Sequence, residues 1–263
     1  VAEAVTVVVT RPGAAGRELA ANLEAAGQPA LWLPAFAFGG APDPAAARAL
    51  LAGLAEFDLA MFVSPQAVRA TAALLTAPWP PETTIAAVGA GTKAAVLASI
   101  DGAGAARVLA PATEDDDPRS SGSEALWPLL QAMRPPARRV LLLRAQAGRE
   151  WLGTKLQAAG ATVTPLAVYS RQPLALSAEA RARLDAAGAG GLASVVSSSD
   201  AVDALVRMLA PSPGALRALL AGRALASHPR IAERLRAAGF RDVAVCAADT
   251  AAVLEALRAG PSG

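Results

Sequence analysis

The chain has 263 residues, 54% of them hydrophobic and 17% charged, with a formal net charge of +2, which excludes a disordered chain and suits two domains on one polypeptide. Its arginines are scattered rather than gathered into a basic tract, arguing against a nucleic-acid partner, and apolar runs such as Ile85 to Val88 and Val140 to Leu143 fall far short of the roughly 20 residues of a membrane span. One cysteine, Cys246, and one histidine, His228, rule out a disulfide framework and an ordinary multi-ligand zinc site.

The opening residues carry no basic region or cleavage site and run directly into a predicted strand, so no signal peptide is expected and the cytosol is the expected compartment. Val5 to Val9 is a continuous β-branched run, the pattern of a parallel strand covered on both faces. Thr10-Arg11-Pro12-Gly13 breaks it, Leu19 and Leu23 recur at helical spacing, and Gly27 supplies the stop. The same order of strand, loop and helix returns at Val140 to Leu143, Arg144, and Gly148-Arg149-Glu150, ending at Gly160. Ala15-Gly16-Arg17-Glu18 answers Ala147-Gly148-Arg149-Glu150, and Phe62-Val63-Ser64 resembles Val196-Ser197-Ser198, at offsets of 132 to 134 residues. Matched pieces at a steady offset mark an internal duplication, and alternating strand and helix points to two flavodoxin-like, doubly wound parallel-sheet lobes.

Two extended, proline-punctuated passages, Leu33 to Asp43 and Leu166 to Pro173, are expected to cross between the lobes side by side as a two-stranded β linker. The expected division is lobe 1 from 1–35 plus 174–263, lobe 2 from 41–166, and crossing linkers at 36–40 and 167–173, with a polar cleft between the lobes.

In parallel sheets, ligands sit beyond the carboxyl ends of the strands, where helix N-termini offer unpaired N–H groups. The polar residues after predicted strands are therefore the candidates: Thr10 and Arg11; Ser64; Gly89, Gly91 and Thr92; Ser123; Arg144 and Arg149; Ser197, Ser198 and Ser199; Ser227 and His228; and Thr250. Each hydroxyl also suits a plain helix N-cap. Val88-Gly89-Ala90-Gly91-Thr92 lacks the third glycine of a dinucleotide fingerprint and the lysine of a phosphate loop. No nucleophile elbow occurs, and the acidic run Glu114 to Asp117 reads as a solvated connection. Tyr169 is the only tyrosine, placed where the second repeat runs into the return crossing. Its phenol can donate a proton or hydrogen bond while staying neutral at pH 7.

Val9-Thr10-Arg11-Pro12, Phe62-Val63-Ser64-Pro65-Gln66-Ala67-Val68, Val88-Gly89-Ala90-Gly91-Thr92, Ser123-Glu124-Ala125-Leu126, Leu143-Arg144 with Gly148-Arg149-Glu150, Val168-Tyr169-Ser170-Arg171, Val196-Ser197-Ser198 and Ser227-His228-Pro229-Arg230 together resemble the uroporphyrinogen-III synthase family. The resemblance implies a cytoplasmic, cofactor-free, monomeric lyase. Such an enzyme closes hydroxymethylbilane to uroporphyrinogen III, with inversion of ring D and loss of water, in the biosynthesis of haem, sirohaem and cobalamin. It further implies Tyr169 as the catalytic residue and Ser64, Thr92, Ser198 and Ser227 as groups that orient the substrate's carboxylates; Arg11, Gly89, Ser123, Arg144, Arg149, Ser197 and His228, placed after predicted strands, are expected as further substrate contacts. No metal is implied, and a transient handover of the bilane from hydroxymethylbilane synthase is an expected partnership. The fold alone also suits a two-lobed protein that binds a tetrapyrrole without turnover.

Overall fold

The computed structural model describes residues 5–112, 122–148, 150–187 and 191–259. The elements run β1 (Thr6–Val9), α1 (Ala14–Ala25), β2 (Ala30–Trp32), β3 (Phe36–Gly39), α2 (Pro44–Ala52), β4 (Leu59–Phe62), α3 (Pro65–Ala72), β5 (Thr84–Ala87), α4 (Ala90–Ser99), β6 (Val108–Leu109) and α5 (Ser123–Gln131). They continue with β7 (Arg139–Ala145), α6 (Trp151–Ala158), β8 (Thr162–Pro173), α7 (Ala178–Ala187), β9 (Leu192–Val196), α8 (Ser199–Leu209), α9 (Pro213–Ala221), β10 (Arg223–Ala226), α10 (Pro229–Ala237), β11 (Asp242–Val245) and α11 (Thr250–Arg258). The chain divides into one unit of Val1–Phe38 with Gln172–Gly263 and another of Gly39–Arg171.

In the first unit the strand order is β2-β1-β9-β10-β11, and every pairing is parallel. Val7 and Val9 pack with α1 and α11 residues such as Leu19, Leu23 and Val253, whereas Val8 packs with Val202, Leu205 and Leu219 on the other face. Successive side chains of a strand point to opposite faces, so the uninterrupted valine run reflects helices on both sides. All three valines are fully buried, each worth roughly 1.5–3 kcal/mol relative to exposure. The chain winds outward from β1 in one direction and resumes from β9 in the other, so the switch point lies between β1 and β9.

The second unit repeats this layout from a different starting point. The six-stranded sheet reads β3-β8-β7-β4-β5-β6, so β7 and β8 stand where β1 and β2 stand in the first unit, and β4, β5 and β6 where β9, β10 and β11 stand. Even the register agrees: Val9 lies opposite Trp32, and at the duplication's offset Leu142 lies opposite Pro165. Leu59, Met61, Val140 and Leu142 pack with Leu126, Leu130, Leu152 and Leu156 of α5 and α6, while α3 and α4 cover the opposite face through contacts with β4, β5 and β7.

β3 and β8 are neighbours at the edge of the six-stranded sheet. From Thr162 to Tyr169 β8 pairs with β7, a ladder that suits the β-branched Thr162, Val163 and Thr164. Among the described residues, no helix is long and apolar enough to cross a membrane.

Candidate active site

In the second unit the switch point falls between β7 and β4, and Ser64 lies just beyond β4. Its backbone stays extended at φ −168° and ψ 157°, and its Oγ accepts the Ala67 N–H at 3.1 Å, capping α3, with Pro65 at the first helical position. Serine followed by proline makes a stop for the strand and a start for the helix, since proline needs no N–H partner in the first turn.

Tyr169 reaches the same place through a β-bulge. Arg144 pairs with Ala167 but Ala145 with Tyr169, which leaves Val168 as the extra residue on β8. Partners in a parallel ladder share a face, so Tyr169 lies on the face of Ala145 and Leu143, and thus of Phe62, which pairs with Leu143. Ser64, two residues beyond Phe62 in extended chain, continues that face. An uninterrupted register would have turned Tyr169 away; re-aiming a side chain beside a functional site is a frequent use of a bulge. The outcome is a contact of 3.3 Å between Ser64 Oγ and Tyr169 Oη, with Tyr169 only 1% exposed.

Two arginines fasten the loop after β7. Arg144, at the end of the strand and buried, donates through Nη2 to the Gly148 carbonyl at 2.6 Å and pairs through Nη1 with Glu150 at 3.4 Å. Arg171 donates through Nη1 to the Ala147 carbonyl at 3.4 Å and through Nη2 to Tyr169 Oη at 3.5 Å. Gly148 adopts φ +147°, a conformation that side chains rarely take. Arg149 lies outside the described residues.

The first unit carries a parallel arrangement at its own switch point. Thr10 is buried and donates to the Val195 carbonyl at 2.9 Å, tying the end of β1 to β9. The carbonyl of Arg11 accepts the Trp32 indole N–H at 2.9 Å, and the Arg17 guanidinium lies 4.6 Å from the Trp32 ring centroid. α1 approaches so closely that a Cβ on Gly16 would stand 1.8 Å from the Arg11 oxygen. Across the switch, Ser198 caps α8 as Ser64 caps α3, with φ −156°, ψ 148° and an Oγ accepting the Ala201 N–H at 3.2 Å.

Ser197, partly exposed, directly precedes that cap. Ser227 donates its backbone N–H to the Val196 carbonyl at 3.2 Å. The cap of α10 is His228, whose Nδ1 accepts the Arg230 N–H at 3.2 Å. An accepting Nδ1 carries no proton, so the neutral ring holds its hydrogen on Nε2.

The remaining candidates are placed differently. Gly89 is the N-cap of α4 and offers no side chain, Thr92 lies inside α4 and is 4% exposed, and Ser123 is the first residue of α5 behind the cap residue Gly122. Thr250 likewise follows its cap, Asp249, which accepts the Ala252 N–H at 3.0 Å. The row of hydroxyl caps expected from the sequence therefore narrows to Ser64 and Ser198, with His228 and Asp249 as caps of other chemistry. The acidic run Glu114 to Asp117 lies outside the described residues. Sequence reasoning passed over Trp32, Glu150 and Arg171 as members of these loops. For Arg171 the signal was its position two residues from Tyr169 in an extended passage, which puts both side chains on one face.

Cys246 is partly buried, and this burial, together with the Asp249 carboxylate, pushes its thiol above the ordinary value, against the opposing pull of Arg223. Among the described residues no cluster of three or more histidine, cysteine, aspartate or glutamate side chains could hold a metal ion.

Two doubly wound units of matching strand order, with polar groups gathered at the carboxyl ends of their strands, define a tandem α/β protein of the flavodoxin-like kind. The chain belongs to the uroporphyrinogen-III synthase family: the family model described as "Uroporphyrinogen-III synthase HemD" matches residues 17–254. It is 31% identical over 258 residues to the uroporphyrinogen-III synthase of Escherichia coli (strain K12), spanning 96% of this chain and 100% of that protein. The corresponding protein of Salmonella typhimurium (strain LT2) is 32% identical over 260 residues, with the same coverage. A crystal structure of a mutant uroporphyrinogen III synthase from the extremely thermophilic bacterium Thermus thermophilus superposes with a TM-score of 0.60 at 25% identity, covering 90% of each chain. A uroporphyrinogen-III synthetase from Helicobacter pylori 26695, at 17% identity and a TM-score of 0.58 over 97% of this chain and 99% of that one, shares the fold. The activity is uroporphyrinogen-III synthesis, a hydro-lyase step of tetrapyrrole biosynthesis with hydroxymethylbilane as substrate.

Proposed function

We propose that Tyr169 is the catalytic residue of this synthase and supplies the proton that lets the ring A hydroxyl of hydroxymethylbilane depart as water. The observation that carries this reading is the contact between Tyr169 Oη and Ser64 Oγ at 3.3 Å. It aims the phenol at the carboxyl edge of β4, where the α3 N-terminus begins. The pyrrole nitrogen drives out the hydroxyl, so the protein needs only to hydrogen-bond or protonate the leaving oxygen. The bilane also cyclises unaided to the symmetric type I isomer, and a 100-fold preference for the inverted product requires only about 2.7 kcal/mol of barrier difference. Holding the substrate folded supplies much of that.

The substrate's carboxylates fall to the strand-end groups. Helix N-termini capped by Ser64, Ser198 and His228 present backbone N–H groups and a positive dipole end, and Arg11, Arg144 and Arg149 add charge. Ser197 and Ser227 are further donors, and Gly89, Thr92 and Ser123 contribute the first turns of α4 and α5. The chain acts as a cytoplasmic monomer and receives the bilane by transient handover from hydroxymethylbilane synthase, a reading supported by a substrate that closes on its own when released.

The test supplies freshly generated hydroxymethylbilane to the wild type and Tyr169→Phe, oxidises the products and separates type I from type III uroporphyrin. The variant is expected to lose about 100-fold in turnover, the lower end for a displaced general acid, with KM little changed. Wild-type turnover by the variant would exclude the tyrosine.

A further inference from the structure

Arg171 lies two residues beyond Tyr169 on β8. Its Nη2 stands 3.5 Å from Tyr169 Oη, its guanidinium carbon 5.8 Å from the Tyr169 ring centroid, and its Nη1 3.4 Å from the Ala147 carbonyl. A guanidinium has only donors, whereas a phenol has one proton and two lone pairs. The contact therefore has one sense: Arg171 donates and Tyr169 accepts. That leaves the phenol its proton and a second lone pair for other contacts, among them the one with Ser64 Oγ at 3.3 Å, in which either oxygen can donate.

We infer that Arg171 is a positioning residue that acts through Tyr169, holding the phenol oxygen and stabilising the charge it acquires when it gives up its proton; this rests on the role proposed for Tyr169. As the C–O bond of the hydroxymethyl group breaks, the phenol proton passes to the departing hydroxyl, which leaves as water. The O–H electron pair stays on Tyr169 as a phenolate facing the Arg171 cation. When the attacked pyrrole ring regains aromaticity after closure, the proton it releases returns to Tyr169, so the cycle loses one water and nothing else. A phenolate is a stronger acceptor than a phenol, so the contact from the charged guanidinium, 3.5 Å to the neutral oxygen, strengthens as charge develops there. The Ala147 carbonyl holds the guanidinium in place for this task, and lysine, with a single ammonium, cannot serve both partners as a planar fork does.

The experiment is a double-mutant cycle, in which residues acting as a unit depart from additivity. Arg171→Met and Arg171→Lys are made in the wild type and in Tyr169→Phe, and kcat and KM for type III product are measured on variants shown by circular dichroism to be folded. Arg171→Met is expected to lower kcat by about tenfold with KM within about twofold, the size of one charge-assisted hydrogen bond, and Arg171→Lys to recover part of the loss. In the Tyr169→Phe background the same substitution should change kcat by less than about twofold.

Because the chain holds one tyrosine, 13Cζ-tyrosine labelling yields a single resonance, which Arg171→Met should move. Should Arg171→Met not fold, Arg171→Lys carries both the cycle and the resonance. An equal loss of kcat in both backgrounds, an unmoved resonance, or full activity of Arg171→Met beside a slowed Tyr169→Phe would overturn the inference for Arg171 alone. Full activity of Tyr169→Phe would instead remove the role of the tyrosine.

Discussion

Ser64 Oγ and Tyr169 Oη lie 3.3 Å apart although 105 residues separate them in sequence. Two local events make that meeting possible. Ser64 stays extended while capping α3, and the extra residue Val168 turns Tyr169 onto the face that Phe62 and Ser64 share. A change of one residue in the register would place the phenol on the opposite face.

Removing either capping serine should cost similar stability but different chemistry. Ser64→Ala and Ser198→Ala each lose one bond to a helix N–H, so both should lose about 1 kcal/mol in urea unfolding. Ser64 Oγ stands 3.3 Å from Tyr169 Oη, so Ser64→Ala should lower kcat by about fivefold, whereas Ser198→Ala should act chiefly on KM. Identical kinetic effects in steady-state assays would separate the tyrosine's chemistry from Ser64.

Gly16→Ala tests the close packing of the first unit. The new methyl group would stand 1.8 Å from the Arg11 carbonyl, which already accepts the Trp32 indole N–H, so the loop after β1 has to move. A loss of about 2–3 kcal/mol is expected, the upper range for an overpacked site. Urea titrations of the purified variant measure it as a lower midpoint at unchanged slope.

Trp79 anchors the second unit beside the site. It is 2% exposed, donates from its indole nitrogen to the Thr83 carbonyl at 2.9 Å, and lies 5.7 Å from Phe62 between ring centroids. Trp79→Phe removes the donor and leaves a void, for a loss of about 2 kcal/mol. Thermal unfolding followed by calorimetry should report a lower midpoint, and an unchanged one would mean the site relaxes to fill the space.

Cys246 makes stability sensitive to alkali. Its thiol is held above the ordinary value of 9.0 by burial and by Asp249. Above pH 9 the unfolded chain therefore releases the proton more readily than the folded one, and stability falls as pH rises. Cys246→Ala should flatten the slope of unfolding free energy between pH 8.5 and about pH 10 in urea titrations. In the wild type, alkylation at pH 8 should be slower in the folded than in the unfolded protein, since the thiolate is the reactive form.

What the amino-acid order determined alone is the alternation of strand and helix, the duplication and the class of fold. The buried run at Val7 to Val9 and its counterpart at Val140 to Leu143 announce parallel strands because apolar residues on both strand faces require helices on both sides. Ser64 and Ser198 were legible as caps because serine just after a strand, at the start of a helix, has few other uses. Tertiary structure alone decided which hydroxyls cap helices and which do not. Thr92, Ser123 and Ser227 occupy the same kind of sequence position as Ser64, yet Thr92 lies inside α4, Ser123 follows its cap residue, and the capping at α10 falls to His228. It alone decided, too, the bulge at Val168 and with it the meeting of Tyr169, Ser64 and Arg171. The physical reason is reach: periodicity and capping act within a turn or two of the chain, while the register between β7 and β8 is set by packing over the whole sheet.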